Sequence, residues 1–154
     1  MITSLLAATL LHQVVLLEIP PQAAPFPPGN ELVLSDAELS ALVKGLSEKQ
    51  ARVLSAPLIE AGPDQPAKLE VGTSASKLEL DILPGPTNST FLFNYDAKPQ
   101  HYSARFVLPP GEGSWSFALD ERHVLLGRQE SVADPEATAK AEHRWRELTA
   151  PLRR

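Results

Sequence analysis

From Ala67 to Leu119 apolar residues return at every second position in run after run, each run closed by a turn rich in Gly or Pro. Ala67, Leu69 and Val71 alternate with Lys68 and Glu70, and Leu78, Leu80 and Ile82 alternate with Lys77, Glu79 and Asp81. Phe91, Phe93 and Tyr95 share one face, Tyr102, Ala104, Phe106 and Leu108 another, and Trp115, Phe117 and Leu119 a third. Period two puts such residues on one side of a strand, so each run predicts a strand, and the charged residues alternating in the first two make those half-buried with one wet face. The turns between them, GTSAS, Pro84 to Ser89 and PPGEG, are short, which favours antiparallel neighbours over βαβ crossovers. Pro supplies 15 of 154 residues, about twice ordinary usage, and its place in the turns fits many short elements.

Elsewhere the pattern changes. Gln13 to Ile19 is β-branched and aliphatic without alternation, the mark of a strand covered on both faces, and Pro20 to Asn30 follows as a stiff connector. Glu31 to Leu34 predicts a short strand. Ser35 opens a helix: its side chain suits an N-cap, Glu38 completes a capping box, and Asp36 and Glu38 favour the positive end of the helix dipole. Leu39, Leu42, Val43 and Leu46 then make one apolar face, so a helix is expected over about 36–46, with Gly45 weakening its last turn. Arg52 to Glu60 is a strand candidate in which Pro57 forces an edge, a bulge or a break. Asp134 before Pro135 and Glu136 starts a second helix, expected over 135–149, with Ala137, Ala141, Trp145 and Leu148 as a thin apolar face. The expected fold is α+β, mainly an antiparallel sheet or sandwich of short strands carrying two helices. The chain divides into an apolar N-terminal segment (1–24), a β-rich domain (25–130) and a C-terminal helix with its tail (131–154).

The net charge of −5 offers phosphate backbones no general attraction, which argues against a nucleic-acid partner. The absence of cysteine removes disulfides, Cys-based zinc sites and thiol nucleophiles while leaving the compartment open. Met1 to Leu17 is as apolar as the core of an export signal, and small residues at Ala23 and Ala24 offer a cleavage site, but no Lys or Arg precedes the run. It is either such a signal or a first strand. His12 and Gln13 interrupt it as a membrane span, so contact with a membrane would come only through this segment or a partner.

The residue types that carry catalysis or bind metals do not assemble into a motif. His12, His101, His123 and His143 form no HxH or HExxH pair. GEGSWS around Ser114 lacks the strand–turn–helix context of a nucleophile elbow. Glu112, Asp120 and Glu121 lie on turns, where acids are ordinary, and Asn88-Ser89-Thr90 fits a glycosylation acceptor. No catalytic, metal or cofactor-binding residue is assigned, and no cofactor is expected.

Read continuously, LSALVKGLSEKQARVLSAPLIEAGPDQPAKLEVG resembles the secretin family of outer-membrane secretion channels. The likeness rests on Val53, Leu54, Ser55 and Pro57, then on Ala67, Leu69, Val71 and Gly72, and extends loosely through LPPGEGSWSFALDERHVLLG to Gly127. The turn departs from the family pattern, with GPDQP where asparagine or glycine is usual, and the long alternating strands of a membrane barrel are missing. The resemblance implies a β-rich, non-enzymatic module, periplasmic, outer-membrane associated or secreted. Such a module would act in protein interaction or self-association through sheet edges and the Pro57-bearing strands. The alternative is a small cytoplasmic ligand-binding or regulatory domain whose aromatic residues, Phe91, Phe93, Tyr95, Tyr102, Trp115 and Phe117, line a pocket. A hydrolase using Ser114 or His123 is the third class, and no further residues support it.

Overall fold

A computed structural model describes residues 9–21, 31–62, 65–72, 75–84, 89–97, 100–108, 113–119 and 121–153. Its strands are β1 (Thr9–Glu18), β2 (Glu31–Leu34), β3 (Arg52–Ser55), β4 (Leu58–Ala61), β5 (Ala67–Gly72), β6 (Ser76–Pro84), β7 (Ser89–Ala97), β8 (Gln100–Leu108), β9 (Gly113–Ala118) and β10 (His123–Val132). Helices α1 (Asp36–Glu48) and α2 (Pro135–Thr149) and a closing 3-10 turn, Ala150–Arg153, complete it. The fold is α+β, with antiparallel sheets and two helices.

The continuous apolar run near the N-terminus is the centre of the larger sheet. β1 pairs with β10 over its whole length and on its other side with β3 and β4, giving the order β2-β9-β10-β1-β3 with β4 also on β1. Burial on both faces explains the lack of alternation. Val14 and Leu16 face the smaller sheet, whereas Val15, Leu17 and Ile19 face the helices. The strand starts four residues before the expected Gln13, because Thr9 to His12 continue the ladder opposite Val132 to Gln129.

The smaller sheet has the order β5-β6-β7-β8, the meander foretold by the period-two runs. Its apolar face meets the larger sheet in one core: Leu69, Leu78, Leu80, Ile82, Phe91, Phe93 and Tyr95 pack with Trp115, Phe117 and Leu125. On the far side α1 and α2 lay Leu39, Val43, Leu46 and Trp145 against Val15, Leu17, Val124 and Leu126. The result is three layers, sheet on sheet on helices. The N-terminal segment, the β-rich stretch and the C-terminal helix distinguished in the sequence all contribute to these cores.

Local chemistry sets the helix ends. The Ser35 side chain accepts from the Glu38 backbone N–H at 3.1 Å and the Glu38 carboxylate accepts from the Ser35 N–H at 3.0 Å, the expected capping box. That second bond holds the Glu38 carboxyl below its usual range. Asp134 caps α2 through the Ala137 N–H at 2.7 Å, with Pro135 in the first turn.

Of the outcomes expected of Pro57 in Arg52 to Glu60, the structure takes the break: the chain parts at Ala56-Pro57, where the Pro57 carbonyl accepts from the Val14 N–H at 3.1 Å, and β3 and β4 run along successive halves of β1. β10 continues beyond Gly127 through the polar Arg128, Gln129 and Glu130 to Val132: Arg128 and Glu130 meet ion-pair partners on the helix side, and Gln129 stands opposite His12 in the ladder.

Candidate interaction edges

The larger sheet ends in the four-residue β2 on one side and in the β3–β4 pair on the other. Short or broken strands are poor templates for another chain, and Pro57 blunts its edge further. Leu54 and Leu58 remain 42% and 44% exposed there. The smaller sheet ends in β5, six residues, and β8, nine residues without proline or a register shift. Among the described residues nothing pairs with the outer side of β8, which makes it the longest open edge of the structure.

The wet face beside that edge carries a connected set of side chains. His101 Nδ1 meets the Asp96 carboxylate, His101 Nε2 lies 3.1 Å from Ser103 Oγ, and that hydroxyl donates to Asn94 Oδ1 at 2.8 Å. Asp, His and Ser in this order resemble a hydrolytic relay. They stand on a flat, open sheet face, however, with His101 and Asp96 more than half exposed, whereas such chemistry draws on aimed oxyanion donors in a water-excluded site. The set fixes the β7–β8 hairpin from the solvent side. Further along the face, Val107 is 43% exposed, and Lys77 sits 3.8 Å from Glu70 and 3.2 Å from Glu79. These two carboxylates face each other across the β5–β6 ladder and, with Asp96, hold the Lys77 ammonium above its ordinary range, the Glu79 hydrogen bond contributing most.

A second polar cluster is buried on the helix side of β10. Arg128 Nη1 donates to Ser114 Oγ at 3.0 Å and to the Asp36 carboxylate, and its Nε lies 3.2 Å from Glu130 Oε2. The other oxygen of Glu130 accepts from Arg144. Glu130 is 1% exposed and Arg128 8%, so the cluster pins the first turn of α1 and the middle of α2 to the sheet. Charges this buried need partners, and each has them.

The residues singled out in the sequence do not converge. Ser114 is buried under α1 as an acceptor for Arg128. His123 lies at the other end of β10, 3.8 Å from Glu18 and ring to ring with Tyr95 at 5.6 Å. In the ladder Ser114 faces Arg128, five residues along β10 from His123, so the two cannot share a proton. His12 packs edge-on to Phe91 at 6.0 Å between the sheets, where burial lowers its pKa to about 4. His143 pairs with Glu147 on α2 at 3.0 Å. Phe91, Phe93, Tyr95, Trp115 and Phe117 fill the core rather than line a pocket, Phe93 and Phe117 stacking at 4.9 Å. Glu112, Asp120 and Asn88, and the side chain of Tyr102, lie outside the described residues. Among those described, no three His, Asp or Glu group to hold a metal, and no helix is long and apolar enough to cross a membrane.

Two open grooves of about 620 and 430 Å3 flank the helices. The first lies between the end of α1, β3 and the terminal turn, with Arg52 and Arg153 among its walls, and the second lies between Thr9, Glu60 and the start of α2. Arg52 is engaged by Glu18 at 2.7 Å. Neither groove holds the few convergent polar groups within an apolar cavity that mark a small-molecule site.

The fold and its edges define an antiparallel module of two sheets and a helical layer. No protein-family model, no curated protein and no solved structure matches the chain. Val53 to Ser55 in β3, Pro57 at the break, and Ala67 to Gly72, the whole of β5, all lie at sheet edges.

Proposed function

We propose that the chain is a non-enzymatic module that acts in protein interaction or assembly by adding strands to its smaller sheet. The observation that carries this reading is the nine-residue β8, whose outer side pairs with nothing among the described residues. A straight unpaired strand presents a row of backbone donors and acceptors that another extended segment can complete. The secretin-like sequence supports an envelope-associated or secreted setting. That placement calls for an export route that leaves β1 attached, because cleavage near Ala23 or Ala24 would remove the strand on which β10, β3 and β4 pair. The cytoplasmic ligand-binding alternative has less behind it, since its aromatic residues are spent on the core.

Light scattering on the eluting protein across a wide concentration range tests the reading. The mass should rise with concentration, and Val107→Lys, which puts a charge on an exposed apolar position of the edge, should lower it. A monomer mass at every concentration, with Val107→Lys identical to the wild type, would overturn assembly.

A further inference from the structure

We infer that the partner of the β8 edge is the β5 edge of a second copy of this chain, joined antiparallel with Arg105 facing Glu70 of the neighbouring copy. The inference rests on the strand-addition reading above and names its partner and register.

Direction comes first. β5, β6, β7 and β8 alternate in direction through three antiparallel ladders, so the two edges of the sheet run oppositely. A neighbour that continues the sheet therefore lays its β5 antiparallel to β8, the pairing every other rung of this sheet uses.

Hydrogen-bonding phase comes next. In antiparallel pairs, residues that exchange backbone bonds alternate with residues that do not. One row of the sheet reads Ser103, Asn94, Glu79, Glu70. Three ladders separate its ends, so if Ser103 turns its backbone groups outward from β8, Glu70 turns its own outward from β5. Every other wet-face residue of the two edges follows the same rule. Joining wet face to wet face thus also joins outward amides to outward carbonyls.

Charge then selects the register. Arg105 has no ion-pair or hydrogen-bond partner among the described residues, and it points from the exposed face of β8. Glu70 is half exposed on β5 and holds Lys68 and Lys77 only at 3.8 Å each. Placing Arg105 opposite Glu70 sets Val107 against the Lys68 stem and Ser103 against Gly72, and pairs Ser103 to Leu108 with all of β5. Slipping by two residues in one direction sets Arg105 against Lys68, which repels, and slipping by one turns each wet face against an apolar one. A contact between two different edges does not close on itself in a pair, so it builds a ring or an open row of copies.

Sedimentation velocity on the full chain tests this with Arg105→Glu, Glu70→Arg and the double exchange. Both positions are exposed on the wet face, so thermal midpoints should hold. Each single exchange should weaken association at least tenfold and the double exchange should restore it. Loss with Arg105→Glu alone, Glu70→Arg assembling normally, would overturn the inference in favour of β8 meeting its own copy. Assembly indifferent to both would place the contact elsewhere. A wild type that stays monomeric at high concentration would overturn this inference and the strand-addition reading together.

Discussion

At the scale of single residues, the pairing of Gly127 with Trp115 is the tightest constraint in the core. The two are directly opposite in the β9–β10 ladder, and a Cβ at Gly127 would meet the indole at 2.2 Å. The indole lies over the bare backbone, so Gly127→Ala should destabilise by about 3 kcal/mol, the upper range for overpacking, as read from urea unfolding. The reason for glycine at this position lies across the ladder, where no local pattern reaches. His12 makes a second residue-scale prediction. Its pKa is about 4 in the fold, against 6.5 as the ordinary value, because burial disfavours the charged ring. The unfolded chain therefore takes up the proton first, and stability, complete above pH 6.5, falls as pH drops toward 4. At about 1.4 kcal/mol per pH unit, the loss across that window is roughly 3 kcal/mol. His12→Leu should flatten this part of the stability profile; an unchanged slope would refute the assignment.

At the scale of elements, α1 was legible because capping chemistry is local: Ser35, Asp36 and Glu38 announce its start whatever lies beyond. Its end was less so, and the helix runs to Glu48 because polar residues can prolong a helix whose apolar face is already docked. Gly45 adds nothing to that face, and a Cβ there meets no atom within 4 Å. Gly45→Ala should stabilise by about 1 kcal/mol, visible as a rise in Tm. The polar end of β10 was illegible for the opposite reason. Arg128 and Glu130 look like a solvated tail until Asp36, Ser114 and Arg144, distant in sequence, are brought beside them. Their spacing of two, on one face of an otherwise apolar strand, was the available signal. Glu130→Ala leaves Arg128 buried with one counter-charge fewer, and should cost about 3 kcal/mol. Replacing both by apolar residues of similar volume should cost less than that single change, as urea midpoints would show.

At the scale of the whole molecule, the period-two runs disclosed the smaller sheet and its meander almost residue by residue, because each strand shows one face to water. They did not disclose which strands share a sheet: β1, β3 and β4 meet β10 from the other end of the chain, and nothing in a run of aliphatic residues names its partner. The open β8 edge was hidden in the same way, since an edge is defined by what does not pair. Amide hydrogen exchange over residues 100–108, compared between dilute and concentrated protein, tests strand addition at that edge most directly. Protection of the outward-facing amides of β8, one residue in two, should grow with concentration while the interior of β1 stays unchanged. Exchange in β8 that is equally fast at every concentration would contradict it.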